Sequence, residues 1–248
     1  MPTLGKRRRY PQSIGITGMP KRVRITPAQR GYVRNTGLYG RFNAKRAIQQ
    51  LQPELKWFET AVGIGNIPVA TGTIIGTVNN IPEGNGPNQR IGRKITIKKI
   101  HFRALIRGAQ TILLSQRLRV ICYLDKQCNG AEASPLEIMK TNNTGTDYIV
   151  VDSFRNLENI SRFQILFDKT YTLTPPTNLT ATTVVNPGKH IYFNRNVNIP
   201  IEFDTTANDG SLTTIRSNNI GFLYIPDSNT VDSFDVHTGL CRIRYSDS

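Results

Sequence analysis

The chain has 248 residues, with 32 Lys or Arg against 17 Asp or Glu, for a formal charge of +15. Three cysteines are too few and too odd in number for a disulfide framework, and no apolar run approaches the roughly 20 residues that cross a bilayer. These features predict a reducing, aqueous setting without membrane insertion, and a charge balance that speaks about partners rather than about fold.

The charge is segregated. Residues 1–53 hold twelve Lys or Arg and no acid, the first carboxylate being Glu54, so residues 54–248 carry 20 bases against 17 acids. Up to residue 40 the sequence scatters Gly, Pro, Arg and Thr without apolar periodicity, which predicts a largely disordered arm. Asn43 to Leu51 could form a short helix capped by Asn43, with Ala44, Ile48 and Leu51 on one face and Pro53 just past its end. Lys6, Arg7, Arg8, Arg9, Lys21, Arg22, Arg24, Arg30, Arg34, Arg41, Lys45 and Arg46 are the predicted phosphate contacts, because dense Lys and Arg release condensed counterions from a nucleic acid. Tyr10, Tyr32, Tyr39 and Phe42 lie among them and could stack on unpaired bases, which favours a single strand. Lys6, Arg7, Arg8, Arg9 and Lys21, Arg22, Arg24 also have the form of a bipartite nuclear import signal, implying a nuclear import receptor as a partner and the nucleus as a destination.

From Trp57 onward the apolar period is two. In "KITIKKIHFRALIR" (94–107), Ile95 and Ile97 fall on odd positions while Ile100, Phe102, Ala104 and Ile106 fall on even ones. One long strand can bury both sets only if an extra residue is inserted near Lys98-Lys99, so a β-bulge is predicted there. Leu118, Val120, Cys122 and Leu124 share a parity, with Arg117 and Arg119 facing away. "SPLEIMK" (134–140) predicts a turn or two of helix started by Ser134 and Pro135. Phe163, Ile165, Phe167, Tyr171 and Leu173 form the next alternating set, broken at Leu166 and Lys169. Ile191, Phe193, Val197, Ile199, Ile201 and Phe203 form another, with Pro200 on the polar parity as befits an edge or bulge. Cys241, Ile243 and Tyr245 alternate with Arg242 and Arg244. Such patterns mark antiparallel strands with one face on a core, and the long loops at 79–92, 125–147, 174–188 and 204–218 favour a sandwich over tight hairpins.

Catalytic signals are poor. "GIG" (63–65) lacks the third glycine of a dinucleotide fingerprint, and Gly86 and Gly92 before Arg93-Lys94 lack P-loop spacing. His101, His190 and His237 are far apart, and Cys122 and Cys128 lack zinc-site spacing. No catalytic residue, metal or cofactor is predicted. Arg90, Arg93 and Lys94 are predicted to extend the basic surface where the body begins.

Six segments, "RIGRKITIKKIHFRALI", "LRVICYLDKQCNG", "FRNLENISRFQILFDKTYTL", "HIYFNRNVNIPIEF", "NNIGFLYI" and "CRIRYSDS", resemble in order and spacing the capsid proteins of circular single-stranded DNA viruses that encode a replication initiator, the geminivirus- and circovirus-like group. The likeness covers roughly 90–248 and departs from geminivirus coats in its shorter arm and in lacking a Cys/His cluster. The resemblance implies an all-β fold, a single jelly-roll sandwich of about eight antiparallel strands. It also implies about sixty copies in an icosahedral (T=1) shell. Residues 1–53 would be the nucleic-acid-binding arm and 54–248 the capsid domain, packaging a circular single-stranded DNA genome in the virion. The alternatives are the capsid of a small RNA virus or satellite with the same fold and arm, or a non-viral basic nucleic-acid-binding β protein.

Overall fold

A computed structural model describes residues 55–65, 67, 72–108, 115–141, 149–174, 188–204, 208–227 and 235–247, with the backbone alone at 177–180 and 183–185. The predicted helix at 43–51 lies outside the described residues.

Among the described residues eleven strands follow in chain order: β1 (Lys56–Ala61), β2 (Thr73–Ile75), β3 (Lys94–Arg107), β4 (Gln116–Asp125), β5 (Phe163–Leu173), β6 (Thr177–Thr180), β7 (Thr183–Val185), β8 (Lys189–Phe203), β9 (Ile215–Ser217), β10 (Asn219–Pro226) and β11 (Asp235–Asp247). One sheet has the order β1-β11-β3-β8-β9, the other β2-β10-β4-β5, and β6 and β7 pair separately. The chain passes from sheet to sheet between β1, β2, β3 and β4, and again from β5 to β8, from β9 to β10 and from β10 to β11. All pairings in the two large sheets are antiparallel. This interleaving defines a jelly roll.

Alternation positions the core as the sequence requires. Ile100, Phe102, Ile106, Leu118, Val120, Cys122, Ile201, Phe203, Phe222 and Ile243 are buried together between the sheets. Aromatic rings bridge the layers: Phe102 of β3 lies 4.7 Å from Phe222 of β10, and Phe193 of β8 lies 4.4 Å from Phe167 of β5. The predicted bulge is present. Against β11 the register passes from Ile97–Tyr245 to Lys99–Arg244 and leaves Lys98 as the extra residue of β3, which brings Ile95 and Ile97 onto the same side as Ile100 and Phe102. Pro200 sits opposite Thr96, on a stretch of β8 that β9 does not reach, and its carbonyl accepts from Asn218 Nδ2 at 2.7 Å.

One parity assignment needs correction. Phe163 and Ile165 do not share a face with Tyr171 and Leu173. The β4–β5 register shifts at Leu166, so Leu166, Tyr171 and Leu173 enter the inter-sheet core while Phe163 and Ile165 point to the other side of their sheet. There they meet Ile121, Tyr123, Leu223 and Ile225 beneath α1 (Pro135–Ile138), a single turn whose Glu137 Oε2 accepts from the Ser134 N–H at 2.8 Å. The connection from β4 to β5 thus covers the outer face of the four-stranded sheet. It is tied down by Arg162, whose guanidinium reaches Asp125 through two bonds of 2.8 and 3.0 Å and Glu137 at 2.9 Å. Asn156 and Asn159 add side-chain bonds of 3.1 Å to the carbonyls of Leu136 and Glu137.

Candidate nucleic-acid interface

The twelve basic residues from Lys6 to Arg46, including all seven of the import pattern, lie outside the described residues. Of the three predicted to extend that surface, Arg93 and Lys94 are exposed at the start of β3, and Lys94 faces Glu202 at 3.8 Å.

Arg90 does not belong to the surface. Its side chain is fully buried, its plane rests 4.3 Å from the centre of the Phe203 ring, and its donors reach the Ile81 carbonyl at 3.2 Å, Glu83 at 2.9 Å and the Gly92 carbonyl. A buried guanidinium is costly unless its charge is paired; here Nε and Nη1 clamp the 81–92 loop onto the end of the sandwich, while Nη2 is buried without a hydrogen-bond partner among the described residues. Replacing it, Arg90→Ala, is expected to lower unfolding free energy by about 3 kcal/mol in a urea titration while leaving nucleic-acid binding unchanged.

What the sequence reading missed lies on the five-stranded sheet, whose outward side chains are largely exposed among the described residues. Its strands carry eleven Lys or Arg against four acids, whereas those of the four-stranded sheet carry three against two. The acids of the five-stranded sheet are each engaged: Glu59 with Arg242, Glu202 with Lys94, Asp235 with His237 and Asp247 with Lys56. Among the described residues, Lys98, Lys99, Arg103 and Arg244 have no acidic partner. Cross-strand register aligns Arg244 with Lys99 and Asn196, Arg242 with His101 and Asn194, and Leu240 with Arg103 and Tyr192. His101 accepts from Arg103 Nε at 3.2 Å. Desolvation first, then the charges of Arg103, Lys99, Arg242 and Arg244, hold its pKa below the ordinary 6.5, so it stays neutral at pH 7. Exposed aromatics flank the cations: Tyr192, three-quarters exposed, and Trp57, 5.7 Å from the Arg242 guanidinium. A groove of about 360 Å³ runs between Tyr192 and Leu240 with Arg103 and His190 in its wall.

No thiol here is poised for chemistry. Cys122, Cys128 and Cys241 are free, and burial pushes Cys128 up to about 11 and Cys241 up to about 12. Among the described residues no three His, Cys, Asp or Glu side chains cluster as metal ligands.

In sequence order a dense cationic segment precedes a jelly roll whose five-stranded sheet is basic on the outward side of its described residues. Comparison with known families makes this specific: the family model described as "Satellite tobacco necrosis virus coat protein" matches residues 42–239, and the chain belongs to that family. It is a viral coat protein, of a family of structural proteins of the virion. The coat-protein reading of the sequence therefore stands, while its specific likeness to circular single-stranded DNA viruses gives way to a satellite-virus family. Most of the basic segment precedes the match, which begins at Phe42. No curated protein matches the chain. Among solved structures it is similar to the "Structure of infectious bursal disease virus Gx strain", at 10% identity and a TM-score of 0.26, covering 79% of this chain and 38% of that one.

Proposed function

We propose that the chain assembles about sixty copies into a small icosahedral shell and packages a single-stranded RNA genome through residues 1–53, with residues 54–248 forming the shell. The observation that carries this reading is the pairing of a coat-protein body with a segment of twelve cations and no acid. At twelve charges per copy, sixty copies supply roughly 700 charges, enough to neutralise about a quarter to a third of the phosphates in a genome of roughly 2,000–3,000 nucleotides. Each segment binds modestly, but a shell presents many at once and gains avidity. Membership in a satellite-virus coat family favours the RNA or satellite reading over circular single-stranded DNA.

The second reading, a circular single-stranded DNA genome, is favoured by the likeness of "RIGRKITIKKIHFRALI" and "CRIRYSDS" to the coats of that group. Nuclear import through Lys6–Arg9 and Lys21–Arg24 is supported by the two clusters themselves, and packaging does not require it.

Contacts between copies have a candidate as well. Phe154 is 82% exposed and Leu157 70%, on a loop whose backbone is fixed by Asn156, Asn159 and Arg162. Apolar side chains held out from an anchored loop fit burial against a second copy of this chain.

The test is the polymer itself. Nucleic acid extracted from purified particles and split between ribonuclease A and deoxyribonuclease I should be degraded by the former alone. A polymer that resists ribonuclease and yields to deoxyribonuclease replaces the first reading with the second.

A further inference from the structure

The +3 carried by residues 54–248 conceals a separation. The strands of the five-stranded sheet sum to +7, so everything else in that span sums to −4. The two sheets also differ in what covers them. The outer face of the four-stranded sheet is roofed by the apolar layer under α1, while the outward side chains of its partner are largely exposed among the described residues.

On that outward side Arg244 stands directly opposite Lys99 on the neighbouring strand. Like charges opposed across an antiparallel pair destabilise a sheet, and among the described residues no acid of this sheet pairs with either, Glu59 being held by Arg242. Arg103, two rows away, is likewise without a carboxylate. A polyanion would satisfy all three at once. Lys99 and Arg103, four residues apart on β3, stand about 13 Å from each other along the strand, a span that about two steps of an extended nucleotide chain can bridge. Beside them Tyr192 presents an open ring at the lip of the groove containing Arg103. Stacking on such a ring needs an unpaired base, because the bases of a duplex have their faces covered.

We propose that the outward face of the five-stranded sheet is a second nucleic-acid-binding surface, turned toward the interior of the shell, which holds phosphates of a single strand on Lys99, Arg103 and Arg244 and stacks a base on Tyr192. It rests on the coat-protein reading above and adds an orientation: this sheet faces the genome, and the roofed sheet faces outward. It also assigns binding to the body, where the packaging proposal assigns it to residues 1–53.

The experiment compares the full-length chain with its Lys99→Gln/Arg103→Gln/Arg244→Gln variant, using poly(U) as the probe and dissociated subunits. Single-strand binding loses about 0.7 in the slope of log K against log salt for each phosphate contact removed, so the variant's slope should be shallower by about 2. In particles of the unaltered chain, ultraviolet crosslinking followed by peptide mapping should place nucleotide adducts on the peptide containing Tyr192. An unchanged slope with adducts confined to residues 1–53 overturns this inference and leaves packaging by that segment intact. A variant that binds poly(U) normally but no longer forms particles also overturns it, by making the face a contact between copies. If the unaltered chain ignores poly(U) at low salt, the packaging proposal itself falls with it.

Discussion

Deleting residues 1–46 is expected to yield particles, or shell-competent subunits, that carry little nucleic acid. The deletion removes all twelve cations of the acid-free segment and none of the described jelly roll. With about 0.7 units of salt slope per phosphate contact on a single strand, full engagement of twelve cations is worth a slope of about 8. The deleted chain should retain only the shallower dependence supplied by the body. Read out as the ratio of absorbance at the nucleic-acid and protein maxima, purified particles should fall close to the value for protein alone. Particles that remain as rich in nucleic acid as those of the full chain would remove the role assigned to this segment. Because the counterion term is electrostatic and without sequence preference, the loss should be the same for any single-stranded polymer offered during assembly.

Replacing Phe154 and Leu157 together by serine should abolish assembly without unfolding the subunit. Both side chains project into solvent, 82% and 70% exposed, so their loss removes almost no packing from the isolated chain. The backbone between them remains held by the Asn156 side chain on the Leu136 carbonyl and by the Lys140 N–H on the Phe154 carbonyl at 2.8 Å. In a contact between copies, burying a Phe and a Leu is worth about 1.5–3 kcal/mol each. Losing both therefore weakens each contact by about 3–6 kcal/mol, or roughly 10²- to 10⁴-fold. Since every copy in a shell repeats the defect, sedimentation should show folded single subunits at concentrations where the unaltered chain forms particles. Normal particles from the double variant would mean that the loop lies on the free outer surface.

The strands were legible in the sequence because a half-buried strand writes its orientation in period two. The change of parity at Lys98-Lys99 could even be read as a bulge, since Ile95 and Ile97 had no other way to join Ile100 in the core. Phe163 and Ile165 defeated the same reasoning for a definite reason. The four-stranded sheet is apolar on both faces, so apolar residues on either side of the Leu166 shift look alike. Parity then cannot say which core a residue enters. Arg90 was misread because its burial depends on partners that composition does not connect to it: the Phe203 ring at the far end of β8, and Glu83 across its own loop. A basic residue beside Arg93 and Lys94 looks like part of a patch until those contacts are known.

The basic sheet face was hidden for a related reason. Arg242 and Arg244 were visibly on the polar side of one strand, and Lys99 and Arg103 lie on another. Only the pairing of β11 with β3 and of β3 with β8 brings them together beside Tyr192. A nearly balanced total over residues 54–248 disguised this, because charge segregated within a fold disappears when it is summed along a chain.

Imaging the purified full-length chain by electron microscopy, with nuclease treatment beforehand, tests the central claim most directly. The expected result is uniform particles of icosahedral symmetry that enclose nuclease-protected nucleic acid. Single subunits that form no particles and bind neither RNA nor DNA at low ionic strength would contradict it.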